Sequence, residues 1–220
     1  MKLRKVFTFY FLLFVFSSIF AWCKKSVPFM KKFWGFLLVI VLMTSCGENQ
    51  SLLKSNDYNL VYKKAIEYYN KGDYQRAMNL LDGVRSVFVG QAKAQNIAYY
   101  RAFCSYNMKD YQIASDLFKQ FIQTYPESSF AEECLYMMGF CDYKASPKPR
   151  LDQQVTEKAI REFQLYLSRY PYSMRKDKVN TYMDEMRDKL SYKAYLSAKN
   201  YYLREHYKAA VISLQNCLKD

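Results

Sequence analysis

The sequence predicts an all-α fold, a right-handed solenoid of stacked helical hairpins, and two observations indicate it. The 220 residues include six glycines and five prolines, which is too few for a disordered or turn-rich all-β chain. Tyrosine occurs 22 times, and Tyr62, Tyr99 and Tyr136 follow one another at a fixed spacing of 37 residues. A period of this length is typical of helix-turn-helix repeats that stack on one another.

The formal net charge of +13 is partly carried by the first 45 residues. Residues 1–45 contain seven lysines and arginines and no acidic residue, together with nine of the 16 phenylalanines. Residues 46–220 therefore carry 26 basic and 20 acidic residues, a net charge of +6. This distribution indicates an export leader followed by a folded domain, so we expect no nucleic-acid partner.

Residues 30–45 have the organisation of a secretory signal peptide. Two lysines follow Met30, and the apolar run that comes next has eleven residues, too short to span a bilayer as a stable helix. Thr44 and Ser45 then precede Cys46 in an arrangement that resembles the lipobox of bacterial lipoproteins. We therefore predict lipid attachment at Cys46, and the alternative is an ordinary signal peptide with a chance cysteine.

The segment before this signal contains a second apolar run, at residues 6–22, which is about long enough to span a bilayer. We interpret Met30 as the true start and residues 1–29 as a gene-model extension, whereas a signal-anchor helix is the alternative. Residues 46–56 are predicted to be a short linker between the lipid anchor and the folded domain.

Residues 57–220 are predicted to form four helical hairpins. Each first helix repeats a tyrosine, a small residue three positions later and a second tyrosine four positions after that, as in Tyr62, Ala65 and Tyr69. The small residue allows close helix approach, and one hairpin cannot bury its own apolar face, so the units stack. The pattern resembles the tetratricopeptide repeat, lengthened by about three residues. The predicted units span about 57–90, 91–127, 128–173 and 174–220.

The third and fourth units depart from the regular spacing. Eight extra residues follow Tyr143 and include a proline-rich loop at 146–150. The fourth unit carries apolar residues such as Val211 and Leu214, and a solenoid needs a polar capping helix. We therefore expect an uncovered apolar face near these two residues.

The repeated tyrosines provide a candidate binding surface. Tyrosines seven residues apart lie on one face of a helix, and in tetratricopeptide repeats these positions line the concave surface. Tyrosine combines an apolar ring with a hydroxyl, which suits the binding of an extended peptide; the alternative is that the rings pack between helices. The predicted peptide-binding residues are Tyr62, Tyr69, Asn70, Tyr99, Tyr106 and Asn107, with Tyr136, Tyr143, Tyr195 and Tyr202 at equivalent places later in the chain.

The sequence contains no motif for catalysis. It has no glycine-rich phosphate loop, no Gly-x-Ser-x-Gly motif and no metal-ligand cluster, and its one histidine, His206, falls in a predicted turn. We therefore predict that the protein is not an enzyme and has no cofactor or metal. Glu132 and Glu133 are interpreted as a surface pair. The cysteines of the repeats are interpreted as buried thiols, and they are Cys104, Cys134, Cys141 and Cys217.

A group of basic residues in the second half of the chain is interpreted as a solvated face, with an acidic protein partner as the alternative. The group consists of Arg150, Arg161, Arg169, Arg175, Lys176 and Lys178.

Several short motifs occur together in an order that resembles one family. They are the runs Phe118–Phe121, Tyr125–Pro126, Ser128–Gly139, Ala159–Phe163 and Tyr170–Ser173, followed by Arg187–Leu190 and Ala198–Tyr202. With the lipoprotein signal, they are similar to the BamD family of outer-membrane assembly lipoproteins over roughly residues 46–220. The resemblance implies a lipid-anchored protein on the periplasmic side of the outer membrane that binds BamA and unfolded outer-membrane β-barrel proteins for insertion. The family continues into a fifth repeat, so the resemblance also implies that this sequence is truncated before one.

The resemblance also implies roles for particular residues. A peptide groove falls on the tyrosines of the first two units, and a contact with BamA falls on the region of Arg187 and Lys189. The family often has arginine at the position of Lys189, and lysine cannot make the same planar bidentate contact. Another function of the same broad class is a different cell-envelope tetratricopeptide scaffold, for example one that coordinates cell-wall synthesis or Tol-Pal functions.

Overall fold

A computed structural model describes residues 57–217, and within this range all regular secondary structure is α-helical. The helices are α1 (Tyr58–Asn70), α2 (Tyr74–Val84), α3 (Ala92–Asn107), α4 (Tyr111–Thr124), α5 (Ala131–Ala145), α6 (Gln154–Arg169), α7 (Lys176–Leu203) and α8 (Tyr207–Cys217). The prediction of an all-α fold is confirmed. The predicted leader segments 1–29 and 30–45, the linker and Cys46 lie outside the described residues.

The helices follow one another as four hairpins, from α1–α2 to α7–α8, and each helix packs on the next one in the chain. This is the helical-hairpin repeat arrangement that the sequence predicts. Two apolar clusters fill the space between the helices. The largest fully buried side chains are those of Tyr166, Phe118, Phe121, Phe163, Leu80 and Leu81. Each such side chain stabilises the fold by about 1.5–3 kcal/mol relative to an exposed one.

Three of the four hairpins share one turn conformation. Gly72, Lys109 and Glu205 have positive φ angles of 81°, 68° and 62°. The next residue then donates its N–H to a carbonyl five residues earlier, as in Asp73 to Tyr68 at 2.9 Å. Because the left-handed region favours glycine, Lys109 and Glu205 bear a backbone strain that Gly72 avoids.

The connections after α4 and after α6 are copies of each other. Each begins with Tyr-Pro and has a serine two residues after the proline, Ser128 in one and Ser173 in the other. The serine hydroxyl accepts from the backbone N–H of Phe130 at 3.3 Å and of Arg175 at 3.2 Å. The two copies are 45 residues apart rather than 37, because the third hairpin contains the extra residues around its α5–α6 loop.

Gly139 on α5 allows α6 to approach closely. A Cβ atom at this position would lie 2.8 Å from Cδ1 of the Phe163 ring, and Phe163 is fully buried. At the equivalent positions of the first two hairpins, Ala65 and Ala102 are also fully buried. The small residue of each repeat therefore sits where a larger side chain would separate the helices.

Helix α7 is the longest helix of the described residues, with 28 residues against 16 in α6. In its first half, Val179, Met183 and Met186 are buried in the apolar cluster that also contains Phe118 and Phe163. Its second half pairs with α8, where Val211 is 53 % and Leu214 43 % exposed. The apolar face expected near these two residues is thus open to solvent.

Between residues 57 and 217, none of the helices has the length and hydropathy that crossing a bilayer requires.

Candidate functional site

Partly exposed aromatic rings form a continuous series of contacts that runs from the start of α2 through α1, α3 and α5 onto α7. We call this series the aromatic ladder. Its members, in contact order, are Tyr74, Tyr69, Tyr100, Tyr99, Phe103, Tyr106, Phe140, Tyr143 and Tyr182. Neighbouring ring centroids are between 4.5 and 6.5 Å apart, which is the normal range for aromatic pairs. All nine rings are intermediate in exposure, so each both packs on its neighbours and reaches the surface.

At the α1 end of the ladder, the two predicted tyrosines have different neighbours. Tyr69 lies 5.0 Å from Tyr100 of the next hairpin and 5.5 Å from Tyr74. Tyr62 lies outside the ladder, against Phe88 in the α2–α3 connection at 6.2 Å. Burial raises the pKa of Tyr69 to about 12 and also raises that of Tyr62. Both phenols are therefore neutral at physiological pH.

Tyr99 is the central member of the ladder. Its ring lies 4.5 Å from Phe103 and 4.6 Å from Phe130, the residue before α5. Its hydroxyl donates a 2.9 Å hydrogen bond to Glu133 on α5. Burial, followed by the bond to Glu133, raises the pKa of Tyr99 far above its ordinary value. Tyr99 therefore joins the second hairpin to the third as well as contributing to the surface.

Tyr106 continues the ladder, with Phe140 of α5 at 6.2 Å, and it also contacts Tyr111 at 5.8 Å. Asn107, which follows it, donates its side-chain N–H to the carbonyl of Phe103 at 2.8 Å. The equivalent Asn70 of the first hairpin is exposed. Part of the hydrogen-bonding capacity of Asn107 is thus used within its own helix.

The equivalent tyrosines of the third hairpin divide between core and surface. Tyr136 is only 7 % exposed, and the guanidinium of Arg175 lies over its ring at 5.1 Å. Tyr143 stacks on Tyr182 at 4.5 Å and donates to Glu185. That hydrogen bond, with burial as the second cause, raises the pKa of Tyr143 to about 12.

The equivalent tyrosines of the fourth hairpin stand apart from the ladder. Tyr195 is 45 % and Tyr202 62 % exposed, and their ring partners are Tyr192 and Tyr207. The structure therefore brings Tyr69, Tyr99 and Tyr106 of the predicted set into one series, and leaves the fourth hairpin outside it.

The two residues predicted to contact a partner lie on different sides of α7. Arg187 is exposed, pairs with Asp184 at 2.8 Å and lines a hollow beside the α5–α6 loop. Lys189 is half-buried and donates to the hydroxyl of Ser146 at 2.7 Å. Burial lowers the pKa of Lys189, although the charge of Glu185 opposes the change. Residues two apart on a helix do not share a face, so the structure does not bring Arg187 and Lys189 together.

Glu132 and Glu133 are half-exposed residues of α5, and each also accepts hydrogen bonds from other elements. Glu133 accepts from Tyr99, while Glu132 accepts from Tyr166 at 3.0 Å and from Ser173 at 2.7 Å. The repeat does not mark these contacts, because Tyr99 lies 34 residues before its acceptor and Tyr166 lies 34 residues after its own, whereas the tyrosines repeat every 37 residues. Each glutamate therefore fixes the packing of neighbouring helices.

A buried charge cluster that the sequence did not indicate joins α4, α5 and α6. Lys158 Nζ lies 2.9 Å from Asp142 Oδ2, 3.7 Å from Glu162 Oε1 and 3.2 Å from the hydroxyl of Ser115. Asp142 and Ser115 are fully buried. Among the described residues, Glu162 Oε2 is buried without a hydrogen-bond partner, which is costly for a charged carboxylate.

The surroundings of Glu162 favour its protonated form. Burial raises the pKa of Glu162 to about 8, and Asp142 adds to the rise, whereas the charges of Lys158 and Lys119 oppose it. Burial acts to lower the pKa of Lys158, but its contacts with Asp142, Glu162 and Asp116 raise it above its ordinary value. The cluster therefore combines the ammonium group of Lys158 with the carboxyl groups of Asp142 and Glu162, and its surroundings favour the protonated form of Glu162.

The described residues provide no centre for a metal, since none of their acidic, histidine and cysteine side chains form a group able to hold one. Cys104, Cys134 and Cys141 are buried free thiols, as predicted, and the side chain of Cys217 lies outside the described residues. Burial raises the pKa of Cys104 and of Cys134 to about 12, so these thiols are unreactive.

A family model described as outer membrane lipoprotein (YfiO) matches residues 54–220. The chain belongs to this family. The YfiO family is BamD-like, so the family predicted from the order of the motifs is confirmed. YfiO proteins are non-catalytic lipoprotein scaffolds of the outer membrane. No curated protein matches the chain.

Proposed function

We propose that this outer membrane lipoprotein is a lipid-anchored scaffold and receptor of the β-barrel assembly machinery. In this role it binds BamA and the unfolded peptides of outer-membrane β-barrel proteins on the periplasmic side of the membrane, and it catalyses no reaction. The observation that carries the proposal is the aromatic ladder, a row of half-exposed rings in a chain of the YfiO family.

The ladder has the chemistry that an unfolded β-barrel segment requires. Such segments alternate apolar and aromatic side chains with polar ones, and aromatic rings provide contact area at a low cost in side-chain entropy. The phenols of Tyr69, Tyr99 and Tyr106 are uncharged at physiological pH, since the ordinary tyrosine pKa is 10 and burial raises the pKa of each of them further. The surface therefore offers rings and neutral hydroxyls to the chain that binds, and it does not select for a particular charge.

We assign peptide binding to Tyr69, Tyr99 and Tyr106 in the ladder, and to Tyr62, Asn70 and Asn107 beside it. Tyr62 extends the surface toward Phe88, and Asn70 is exposed at the end of α1. Asn107 contributes mainly by holding the end of α3, because its amide donates to Phe103.

For the contact with BamA, we assign the main role to Arg187. It is exposed, and among residues 57–217 its guanidinium forms an ion pair with Asp184 of the same helix alone. Surface pairs of this kind contribute little, so the arginine is available to a partner carboxylate. Lys189 acts through the loop, because its hydrogen bond to Ser146 holds the α5–α6 connection against α7.

Membrane attachment is assigned to Cys46, which precedes the described residues. Acyl chains contribute about 0.8 kcal/mol for each buried methylene group, and several chains together give stable anchoring. Mass spectrometry of the mature protein should find an acylated Cys46 at its N-terminus. A peptide from residues 2–22 in the mature protein would contradict the assignment of Met30 as the start.

Peptide binding is tested by fluorescence anisotropy with a labelled peptide from the last strand of an outer-membrane β-barrel protein. The double variant Tyr69→Ala/Tyr106→Ala should bind at least about tenfold more weakly, which corresponds to about 1.4 kcal/mol. The matched control is Tyr195→Ala/Tyr202→Ala, which removes tyrosines at equivalent repeat positions outside the ladder. Unchanged affinity in the first variant, with its helicity intact by circular dichroism, would exclude the ladder as the binding surface.

A further inference from the structure

A basic hollow of about 560 Å³ lies between the second half of α7 and the α5–α6 loop. Its lining includes Arg150, Lys193, Leu196, Lys199, Asn200 and Leu203. We propose that this hollow is a second binding site, which takes an acidic segment of a partner protein that also carries apolar side chains. The proposal does not depend on peptide binding by the aromatic ladder, since the two sites share no residue.

The hollow exists because α7 is longer than the helix on which it packs. It has 28 residues, whereas α6 has 16, so α7 continues for about 18 Å past the start of α6 at 1.5 Å per residue. Lys193, Leu196, Asn200 and Leu203 follow one another at helical spacing on this extension and form one stripe. The α5–α6 loop provides the opposite wall, through Pro149 and Arg150.

The wall formed by the loop is held in place by hydrogen bonds. Lys193 donates from α7 to the carbonyl of Leu151 at 2.9 Å. Gln153, which is only 2 % exposed, donates to the carbonyls of Lys148 at 2.9 Å and Leu151 at 3.1 Å. The hollow is therefore preorganised, which lowers the entropy cost of binding.

The lining of the basic hollow itself is positively charged. Arg150, Lys193 and Lys199 line it, and its lining contains no carboxylate. None of these three side chains forms an ion pair with a carboxylate of the described residues. Three cations around one hollow favour an anionic ligand by electrostatic complementarity.

Apolar side chains in the same hollow favour a protein segment over a simple anion. Leu203 is 68 % exposed, and it lies seven residues from Leu196 on the same stripe. An inorganic anion would leave both leucines in water, whereas a segment with acidic and apolar side chains would cover them while pairing with the cations.

A neighbouring hollow gives the bound segment a direction. It shares Lys193 with the basic hollow, but its lining also contains Asp152 and Glu157, together with Arg187. The charge along α7 thus changes from positive to mixed within about two helical turns. We expect the acidic part of the segment at Arg150 and Lys199, and a basic or neutral part toward Asp152 and Glu157.

The test uses fluorescence anisotropy of the mature protein with a labelled peptide of alternating glutamate and leucine residues. The peptide should bind, with an affinity that falls as salt is raised, and a version with glutamine in place of glutamate should bind at least tenfold more weakly. The variant Arg150→Glu/Lys199→Glu should lose at least tenfold in affinity. Both side chains are exposed, so the variant should keep its helicity.

The matched control is Lys63→Glu/Lys208→Glu, which makes the same change in charge at exposed positions outside the hollow. Retained affinity in this control, with loss in the hollow variant, supports the site. An equal loss in both variants would overturn it in favour of attraction by net charge. Binding of inorganic phosphate in place of the peptide would overturn the assignment to a protein partner. Vesicles of phosphatidylglycerol and phosphatidylethanolamine also bind the acyl anchor, so vesicle binding would overturn the assignment where Arg150→Glu/Lys199→Glu weakens it at least tenfold.

Discussion

Tyr99 donates a 2.9 Å hydrogen bond to Glu133, which lies 34 residues later in the sequence and one hairpin further along the solenoid. The bond joins α3 to α5, and it fixes the hydroxyl of the central ring of the aromatic ladder. The same residue therefore belongs to the packing between hairpins and to the candidate binding surface. The two interpretations of the repeated tyrosines, a peptide surface and helix packing, apply together at this position.

Tyr99→Phe should separate these two roles, because it keeps the ring and removes the hydroxyl. We expect the free energy of unfolding to fall by about 0.5–1.5 kcal/mol, since Glu133 loses a donor at a half-buried position. Urea denaturation followed by circular dichroism measures the change. Tyr195→Phe is the control, as its ring is 45 % exposed, and an equal loss in both variants would show that the bond to Glu133 contributes nothing.

Gly139→Ala should destabilise the third hairpin. The added Cβ would meet the ring of Phe163 at 2.8 Å, and overpacking of this kind costs about 1–3 kcal/mol. Part of this is offset by the better helix propensity of alanine, by about 1 kcal/mol. A lower thermal midpoint is therefore expected.

The control for this substitution is the double variant Gly139→Ala/Phe163→Leu, in which a smaller side chain faces the new methyl group. The cost of the alanine should be smaller in the Phe163→Leu background than in the native chain. Strictly additive effects of the two substitutions would contradict the proposed contact between these positions.

Opposite substitutions in equivalent turns should have opposite effects. Lys109 has a φ of 68°, so Lys109→Gly should relieve strain and raise the free energy of unfolding by about 0.5–1 kcal/mol. Gly72 has a φ of 81° and open space around it, so Gly72→Ala should lower the free energy through backbone conformation alone. Thermal unfolding measures both, and a shift of the same sign in the two variants would contradict a shared turn.

The buried charge cluster predicts a pH dependence of stability. Because the pKa of Glu162 is raised to about 8 in the folded chain, its contribution to stability is complete below its ordinary value of 4.5 and is lost as the pH rises toward 8. The groups that face it are Asp142 on α5, Lys158 on α6 and Lys119 on α4. Urea denaturation across this range should find the free energy of unfolding decreasing with rising pH.

Glu162→Gln removes the titration while keeping a polar side chain of similar shape. Its free energy of unfolding should depend less on pH than that of the native chain, and the variant should be the more stable of the two at the alkaline end. Glu157→Gln, an exposed change on the same helix, is the control. A native pH profile that persists in Glu162→Gln would assign the dependence to another group.

The sequence alone was sufficient to predict the helical repeat and many of the residues of the candidate binding surface. The spacing of the tyrosines predicted the hairpins, because residues that repeat at one period occupy equivalent places when the units stack. It also predicted that the small residues would be buried, and Ala65 and Ala102 are. The place of Tyr69 and Tyr106 in one continuous series followed from the same regularity.

What the sequence could not predict depends on contacts between distant residues with no repeating pattern. Asp142 lies 27 residues and Lys158 lies 43 residues after their common partner Ser115. Neither separation equals the 37-residue period, so the repeat does not mark these contacts. Tyr136 is buried against Phe163 and Tyr166 of α6, and Arg175 occupies the place beside it that Phe130 has beside Tyr99. The resemblance placed Arg187 and Lys189 in one contact. The geometry of α7 shows instead that the two residues lie on different sides of the helix.

The most direct test of the proposed function is co-purification of the tagged native lipoprotein from outer membranes in a mild detergent, with its partners identified by mass spectrometry. We expect BamA to be recovered with the protein, and we expect Arg187→Glu to reduce the recovery while Lys63→Glu does not. Absence of BamA, with recovery instead of proteins of cell-wall synthesis or of the Tol-Pal system, would contradict a role in β-barrel assembly.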